Sequence, residues 1–262
     1  MSLVVAVIPV RYASTRFPGK ALAPLGNGTL LEQVWKRASG CERIDRLIVA
    51  TDDQRIIDAA ASFGAEVKRT SRKHPSGTDR TAEVVRNLED DYGLILTIQA
   101  DEPLLTPSSL TGLIELFDRD PAVVMATLVE PIHDADEVFD PNAVKVVLDS
   151  ARRTLYFSRA PIPYFRGSGA RLQPNFRAEL TERKAGLGGY LKHPGVYAYR
   201  RQTLLDLARL GPSPLERLEG LEQLRALEAG VAIHAVDSDF KSISVDTPAD
   251  LERAVKALTE AS

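Results

Sequence analysis

Val4-Val5-Ala6-Val7-Ile8-Pro9-Val10-Arg11-Tyr12-Ala13-Ser14-Thr15-Arg16-Phe17-Pro18-Gly19-Lys20 runs as an apolar strand that breaks into a polar, basic loop. The first 31 residues hold three cations and no Asp or Glu, in a chain whose net charge is −3. A strand that empties into Arg, Ser, Thr, Arg, Gly and Lys offers guanidinium forks, hydroxyls, backbone N–H groups and an ammonium to one anion, and a nucleotide phosphate is the expected one. Neither common phosphate loop fits. A Walker A loop needs Gly where Ser14 stands and Ser or Thr where Ala21 stands, and Gly26-Asn27-Gly28-Thr29-Leu30-Leu31 lacks the third glycine of the dinucleotide fingerprint. Taken alone, the loop reads as a solvated turn, the usual outcome for a loop with three cations; its neighbours tip it toward phosphate.

Outward from this stretch, short β-rich runs alternate with segments of helical period, which predicts βαβ units and a mostly parallel sheet flanked by helices, an α/β Rossmann-like fold. Strands are expected at Leu3 to Pro9, Arg46 to Ala50, Glu66 to Lys68, Ile95 to Gln99 and Val123 to Leu128. Helices are expected at Leu30 to Ala38, Asp53 to Phe63, Thr81 to Leu88 and from Thr106-Pro107 to Asp118, where a hydroxyl and a proline mark the start. From Asn142 two paired strands, Ala143 to Leu148 and Leu155 to Ser158, interrupt the alternation. Arg166 to Lys192 reads as a mobile or partner-contacting excursion. His193 to Tyr199, a helix over Pro214 to Glu228, a strand into Val245-Asp246 and a helix after Thr247-Pro248 complete the chain.

With 262 residues, 44% apolar and 26% charged, the chain is an ordinary globular protein, long enough for one large or two small domains. The apolar segment Leu3 to Val10 is far too short to cross a bilayer, and a cytoplasmic protein is expected. The single cysteine, Cys41, allows no intramolecular disulfide and no thiolate metal cluster, and packing is its expected role. Mild acidity argues against nucleic acid and membrane surfaces as partners.

Two carboxylate positions stand out. Ile95 to Gln99 delivers Asp101 and Glu102 to a strand's C-terminal edge, where open α/β sheets bind ligands, and Asp246 stands just before a helix start. Beside a triphosphate, Asp101 and Asp246 are the hard oxygen ligands that Mg²⁺ prefers; alone, each reads as a cap or turn residue. His74-Pro75-Ser76-Gly77-Thr78-Asp79-Arg80 is a compact loop whose backbone and hydroxyls suit a base edge, with Arg80 in reach of phosphate or ribose; alone, it reads as a turn followed by an N-cap.

These segments, with Gln99 to Pro103, Asn142 to Val147, Tyr156 to Pro163, His193 to Arg200, Pro212 to Glu216, Leu221 to Arg225 and Val245 to Leu251, resemble the bacterial 3-deoxy-manno-octulosonate cytidylyltransferase family, the CMP-Kdo synthetases. The resemblance spans nearly the whole chain and implies a single α/β nucleotidyltransferase domain over residues 1–262. It implies Mg²⁺-dependent transfer of CMP from CTP to Kdo, releasing pyrophosphate, for lipopolysaccharide synthesis, and a homodimer built through residues around 140 to 200. Carried over by position, Arg11, Ser14, Arg16 and Lys20 would hold the triphosphate, and Ser76, Gly77, Thr78 and Arg80 would hold cytidine. Lys20, Asp101 and Asp246 would be catalytic, the two acids holding Mg²⁺. Gln99, Arg159, His193, Tyr197, Glu222 and Gln223 would form the sugar pocket, with Arg159 forking the sugar carboxylate. Alternative readings are a cytidylyltransferase for another sugar acid, amino-Kdo or sialic acid in type, and a catalytically silent nucleotide-binding homologue.

Overall fold

A computed structural model of the chain describes residues 2–14, 16–164, 180 and 184–260. Much of the expected excursion, 166–179 and 181–183, lies outside those residues. The strands are β1 (Leu3–Val10), β2 (Pro24–Leu25), β3 (Gly28–Thr29), β4 (Arg46–Thr51), β5 (Glu66–Arg69), β6 (Tyr92–Ile98), β7 (Met125–Pro131), β8 (Lys145–Leu148), β9 (Thr154–Ser158), β10 (Leu191–Lys192), β11 (Val196–Arg200) and β12 (Ile233–Asp237). The α-helices are α1 (Leu30–Ser39), α2 (Gln54–Ser62), α3 (Gly77–Arg86), α4 (Pro107–Arg119), α5 (Ala135–Phe139), α6 (Arg201–Leu207), α7 (Pro214–Glu219), α8 (Leu224–Glu228) and α9 (Pro248–Glu260).

The opening strand is apolar without alternation because both of its faces are covered. Val4, Ala6, Ile8 and Val10 of β1 point into one core with Leu31 and Val34 of α1, Ile56 of α2 and Leu113 of α4. Val5 and Val7 point into the other with Val85 of α3, Leu204 of α6 and Leu224 of α8. Side chains alternate across a strand, so one eight-residue run seeds both layers. Cys41 is buried in the first core, as packing requires.

The sheet runs β5-β4-β1-β6-β11-β7-β10-β8-β9, with β12 joined to β7. Its first four strands are parallel, as the βαβ pattern predicts, and β11 then enters antiparallel between β6 and β7. β10 and β11 follow one edge of β7, but between the Lys192–Glu130 and Tyr197–Thr127 pairs one strand advances five residues and the other three. The excess sits at His193-Pro194-Gly195. On its outer side β11 pairs with β6 whereas β10 pairs with β8, so the sheet forks at this bulge.

Two expectations are corrected. Ser242 to Val245 is not a strand: Glu130 accepts from the Ser242 backbone N–H, Glu102 from its hydroxyl, and the Val245 N–H donates to the Asp101 carbonyl. These groups satisfy the segment without a ladder, and the last strand is β12, which the polar-interrupted Ile233 to Asp237 did not announce. The helix over Pro214 to Glu228 is two helices. Gly220, at φ 63°, ends α7 in the left-handed region, and the turn before α8 projects Glu222 and Gln223.

Candidate active site

The C-terminal helix is folded back onto the first loop by an apolar cluster. Leu25, Leu30, Val245 and Ala254 are buried together, with Phe17, Ile243, Leu251 and Leu258 packed against them. Each fully buried aliphatic side chain contributes about 1.5–3 kcal/mol to that closure. Its consequence is electrostatic. The Lys20 ammonium donates to Asp101 Oδ2 at 2.7 Å, Asp246 Oδ1 at 2.8 Å and the Val245 carbonyl at 2.9 Å. Arg16 donates to Asp246 Oδ2 at 2.8 Å and to Asn142 Oδ1 at 2.6 Å. Burial alone would lower the Lys20 pKa, but the charges and hydrogen bonds of Asp101 and Asp246 outweigh it and hold the ammonium above its ordinary value.

Asp246 is free for this because other groups cap α9. The Thr247 hydroxyl accepts from the Asp250 N–H, and the Asp250 carboxylate accepts from the backbone of both Asp246 and Thr247. The simple reading of Asp246 as a helix cap therefore fails.

Beyond the carboxylates the fork in the sheet opens a cleft of about 630 Å³, walled by Asp101 and Asp246 and lined by all six residues expected to hold a sugar: Gln99, Arg159, His193, Tyr197, Glu222 and Gln223. Gln99 lies between two glycines. A Cβ at Gly195 would stand 2.7 Å from its Cγ, and one at Gly77 would stand 3.3 Å from its amide. The first turn of α3, capped by Ser76, thus abuts the cleft from behind, with the Ser76 hydroxyl donating to Asp79; burial pushes the Glu222 carboxyl up, opposed by the nearby Ser76 and Thr78. Glu222 Oε1 and His193 Nε2 are buried without hydrogen-bond partners. The His193 ring lies 4.9 Å from that of Tyr197, tilted by 40°, and edge-on at 5.1 Å to Phe157.

Not every expected group points where the sequence placed it. The Arg80 guanidinium is turned inward, 1% exposed, onto Asp52 at 2.7 Å and the Thr70 hydroxyl, because α3 starts at Gly77, capped by Ser76, and not at the expected Thr81, which carries Arg80 beneath the preceding loop. It braces the loop and is not presented to phosphate or ribose. Arg159 lines the cleft, but its fork already donates to the carbonyls of Glu219, Pro141 and Gly220. Arg11 donates to the His74 carbonyl, linking the two loops, and Ser14 accepts from the Phe17 N–H.

Sequence reasoning missed a buried set behind the cleft. Lys192 donates to Glu137 and to the Ser242 carbonyl and lies 3.3 Å from Glu130. Lys145, fully buried in β8, donates to the carbonyls of Asp140 and Ala143, the turn that carries Asn142. A lysine inside the apolar run Val144-Lys145-Val146-Val147 was the available signal.

Glu102 and His193 titrate in opposition. Burial, then the neighbouring Asp101 charge, pushes Glu102 up from 4.5 to about 7, so the folded protein keeps a proton that the unfolded chain releases. Stability from this group falls as pH rises through that window. Burial pushes His193 down from 6.5 to about 3, so the unfolded chain binds the extra proton and stability from this group rises with pH up to 6.5. In metal-free protein, Glu102→Gln removes the first effect alone. The variant should gain stability over the parent between pH 4.5 and about 7, by at most roughly 1.4 kcal/mol per pH unit. Urea midpoints that stay a fixed distance apart across that range would contradict a protonated Glu102.

Among the described residues no three His, Cys, Asp or Glu side chains gather as a self-sufficient metal site. The Asp101–Asp246 pair nevertheless closes on a single cation, the Lys20 ammonium, within ordinary charge-assisted distances. Two carboxylates of this kind suit a hard dication that takes its remaining oxygens from phosphate and water. No helix among the described residues is long and apolar enough to cross a membrane.

A sequence model of the cytidylyltransferase family matches residues 5–238. The chain is 46% identical to the 3-deoxy-manno-octulosonate cytidylyltransferase of Syntrophotalea carbinolica, over 95% of this chain and 96% of that protein. It is 43% identical to the enzyme of the same name from Geobacter metallireducens, over 98% of each. A solved structure of CMP:2-keto-3-deoxy-manno-octonic acid synthetase complexed with CTP superposes with a TM-score of 0.86 at 37% identity, covering all of both chains.

Proposed function

Because the chain belongs to the 3-deoxy-manno-octulosonate cytidylyltransferase family, we propose that it transfers CMP from CTP to the anomeric hydroxyl of Kdo, releasing pyrophosphate. The observation that carries this reading is the convergence of Lys20, Arg16, Asp101 and Asp246 on the wall of a cleft lined by Gln99, Arg159, His193, Tyr197, Glu222 and Gln223.

Attack of the hydroxyl oxygen on the α-phosphorus forms one P–O bond as the bond to pyrophosphate breaks in line, so the protein's work is positioning and neutralising charge. Arg11, Ser14, Arg16 and Lys20 hold the triphosphate and stabilise the leaving pyrophosphate. The helix start at Ser76-Gly77-Thr78, braced by Arg80 and Asp52, presents backbone and hydroxyl groups to cytidine. His193, held neutral by its burial, and Glu222 have unpartnered polar atoms for sugar hydroxyls. Arg159 has two guanidinium hydrogens beyond those given to carbonyls, enough to reach a sugar carboxylate. Asp101 and Asp246 would hold Mg²⁺, which supplies charge neutralisation and lowers the pKa of a bound hydroxyl. The same reading carries a homodimer through residues around 140 to 200, a cytoplasmic location and a product destined for lipopolysaccharide.

Pyrophosphate release with CTP and a panel of Kdo, amino-substituted Kdo and sialic acid is the test. Turnover should be highest with Kdo. Robust turnover confined to another acid would overturn the acceptor, and none with any acid would mark a silent homologue.

A further inference from the structure

Lys20 is bound twice over by the groups that a metal needs. Its ammonium takes Asp101 Oδ2, Asp246 Oδ1 and the Val245 carbonyl at 2.7–2.9 Å, and Arg16 takes the second oxygen of Asp246. The site is largely sheltered, with the side chains of Lys20, Asp101 and Asp246 exposed by 18%, 22% and 18%. Within it the paired carboxylates are balanced by the paired cations. A free dication entering this cluster would compete with an ammonium already seated and leave a surplus of positive charge in a poorly solvated place. A dication arriving with a triphosphate brings its own negative charge and gives both cations a new set of oxygens.

We infer that Lys20 makes the carboxylate pair selective for a metal–nucleotide complex over the free metal ion: the ammonium is the pair's resident cation, and triphosphate oxygens draw it away. The backbone is arranged for an exchange by the side chain alone. Lys20 starts a short 3₁₀ turn whose N–H is taken by the Phe17 carbonyl and whose carbonyl is taken by the Ala23 N–H, while Ala21 beside it is 3% exposed in the core. The main chain stays pinned, and the four-carbon stem moves the charge between carboxylate and phosphate. Lys20 would then serve in two states, holding Asp101 and Asp246 close together before the nucleotide arrives, and neutralising phosphate afterwards.

This inference rests on the reading of Asp101 and Asp246 as the metal ligands, and its test separates the two. Mn²⁺ binding is followed by electron paramagnetic resonance on the intact protein, with and without a non-hydrolysable CTP analogue, so no turnover is involved. Without nucleotide, Lys20→Met should bind Mn²⁺ about tenfold or more tightly than the parent, the equivalent of one lost charge-assisted hydrogen bond. Lys20→Arg, which keeps a cation, should stay near the parent, and Asp246→Asn added to Lys20→Met should remove the gain. Equal nucleotide-free affinities for parent and Lys20→Met would overturn the inference. If Lys20→Met proves unfolded by circular dichroism, Lys20→Gln answers the same question. With the analogue present, the parent should bind Mn²⁺ and Asp101→Asn should weaken it; Mn²⁺ binding indifferent to both acids would instead overturn the metal reading.

Discussion

Asp246→Ala is expected to lower CMP transfer by about 10³-fold or more, the scale set by removing a group that stabilises developing charge at a reaction centre. The substitution takes away one of two carboxylates proposed for the metal and the shared partner of Lys20 and Arg16. It should leave the fold in place, because Thr247 and Asp250 cap α9 without it and the packing of Val245 and Ala254 is untouched. Asp101→Ala should behave alike, since it faces the same ammonium from the end of β6. Pyrophosphate release at saturating CTP, set beside a thermal melt, separates lost chemistry from lost structure. Turnover near the parent rate in either variant would remove that residue from the catalytic set.

Arg225→Ala is expected to cost about 3–5 kcal/mol of stability, because it strands a carboxylate whose partner is buried with it. Arg225 is 4% exposed and meets Glu216 in two parallel bonds of 2.9 and 2.7 Å, with a third donated to the Leu210 carbonyl at 3.0 Å. One guanidinium thus ties the end of α6, the start of α7 and α8 into one unit. Glu216 also closes the capping box with Ser213, so its displacement weakens α7 as well. For a chain of this size the melting temperature should fall by roughly 10 °C. The turn between α7 and α8 carries Glu222 and Gln223, so KM for the sugar should rise more than KM for CTP. Replacing both partners, as Arg225→Met with Glu216→Leu, should restore much of the stability but not the box. A single variant that melts with the parent would show that the pair contributes little.

Much of the candidate site was legible because local chemistry announces it. Lysine and arginine in a loop just after an apolar strand, and acids at the end of a strand and before Thr247-Pro248, are all properties of neighbouring residues. Where expectation and structure part, a distant partner decided. Arg80 looked like a phosphate ligand, but the Asp52 carboxylate and the helix phase at Ser76 turned it inward. Ser242 to Val245 alternates like a strand, yet Glu130 and Glu102 claim its polar groups. The cleft itself depends on a two-residue excess at His193-Pro194-Gly195 relative to β7, which becomes visible only in register with a partner strand.

By itself the amino-acid order determined the two-faced opening strand, the parallel half of the sheet and the residue types of the site, since burial pattern, capping and turn chemistry act over a few residues. The meeting of Lys20 with Asp246, the inward turn of Arg80 and the fork that opens the cleft were decided only by the tertiary structure. Each depends on which far segment packs alongside, and an apolar cluster such as Leu25, Leu30, Val245 and Ala254 has no counterpart in local sequence.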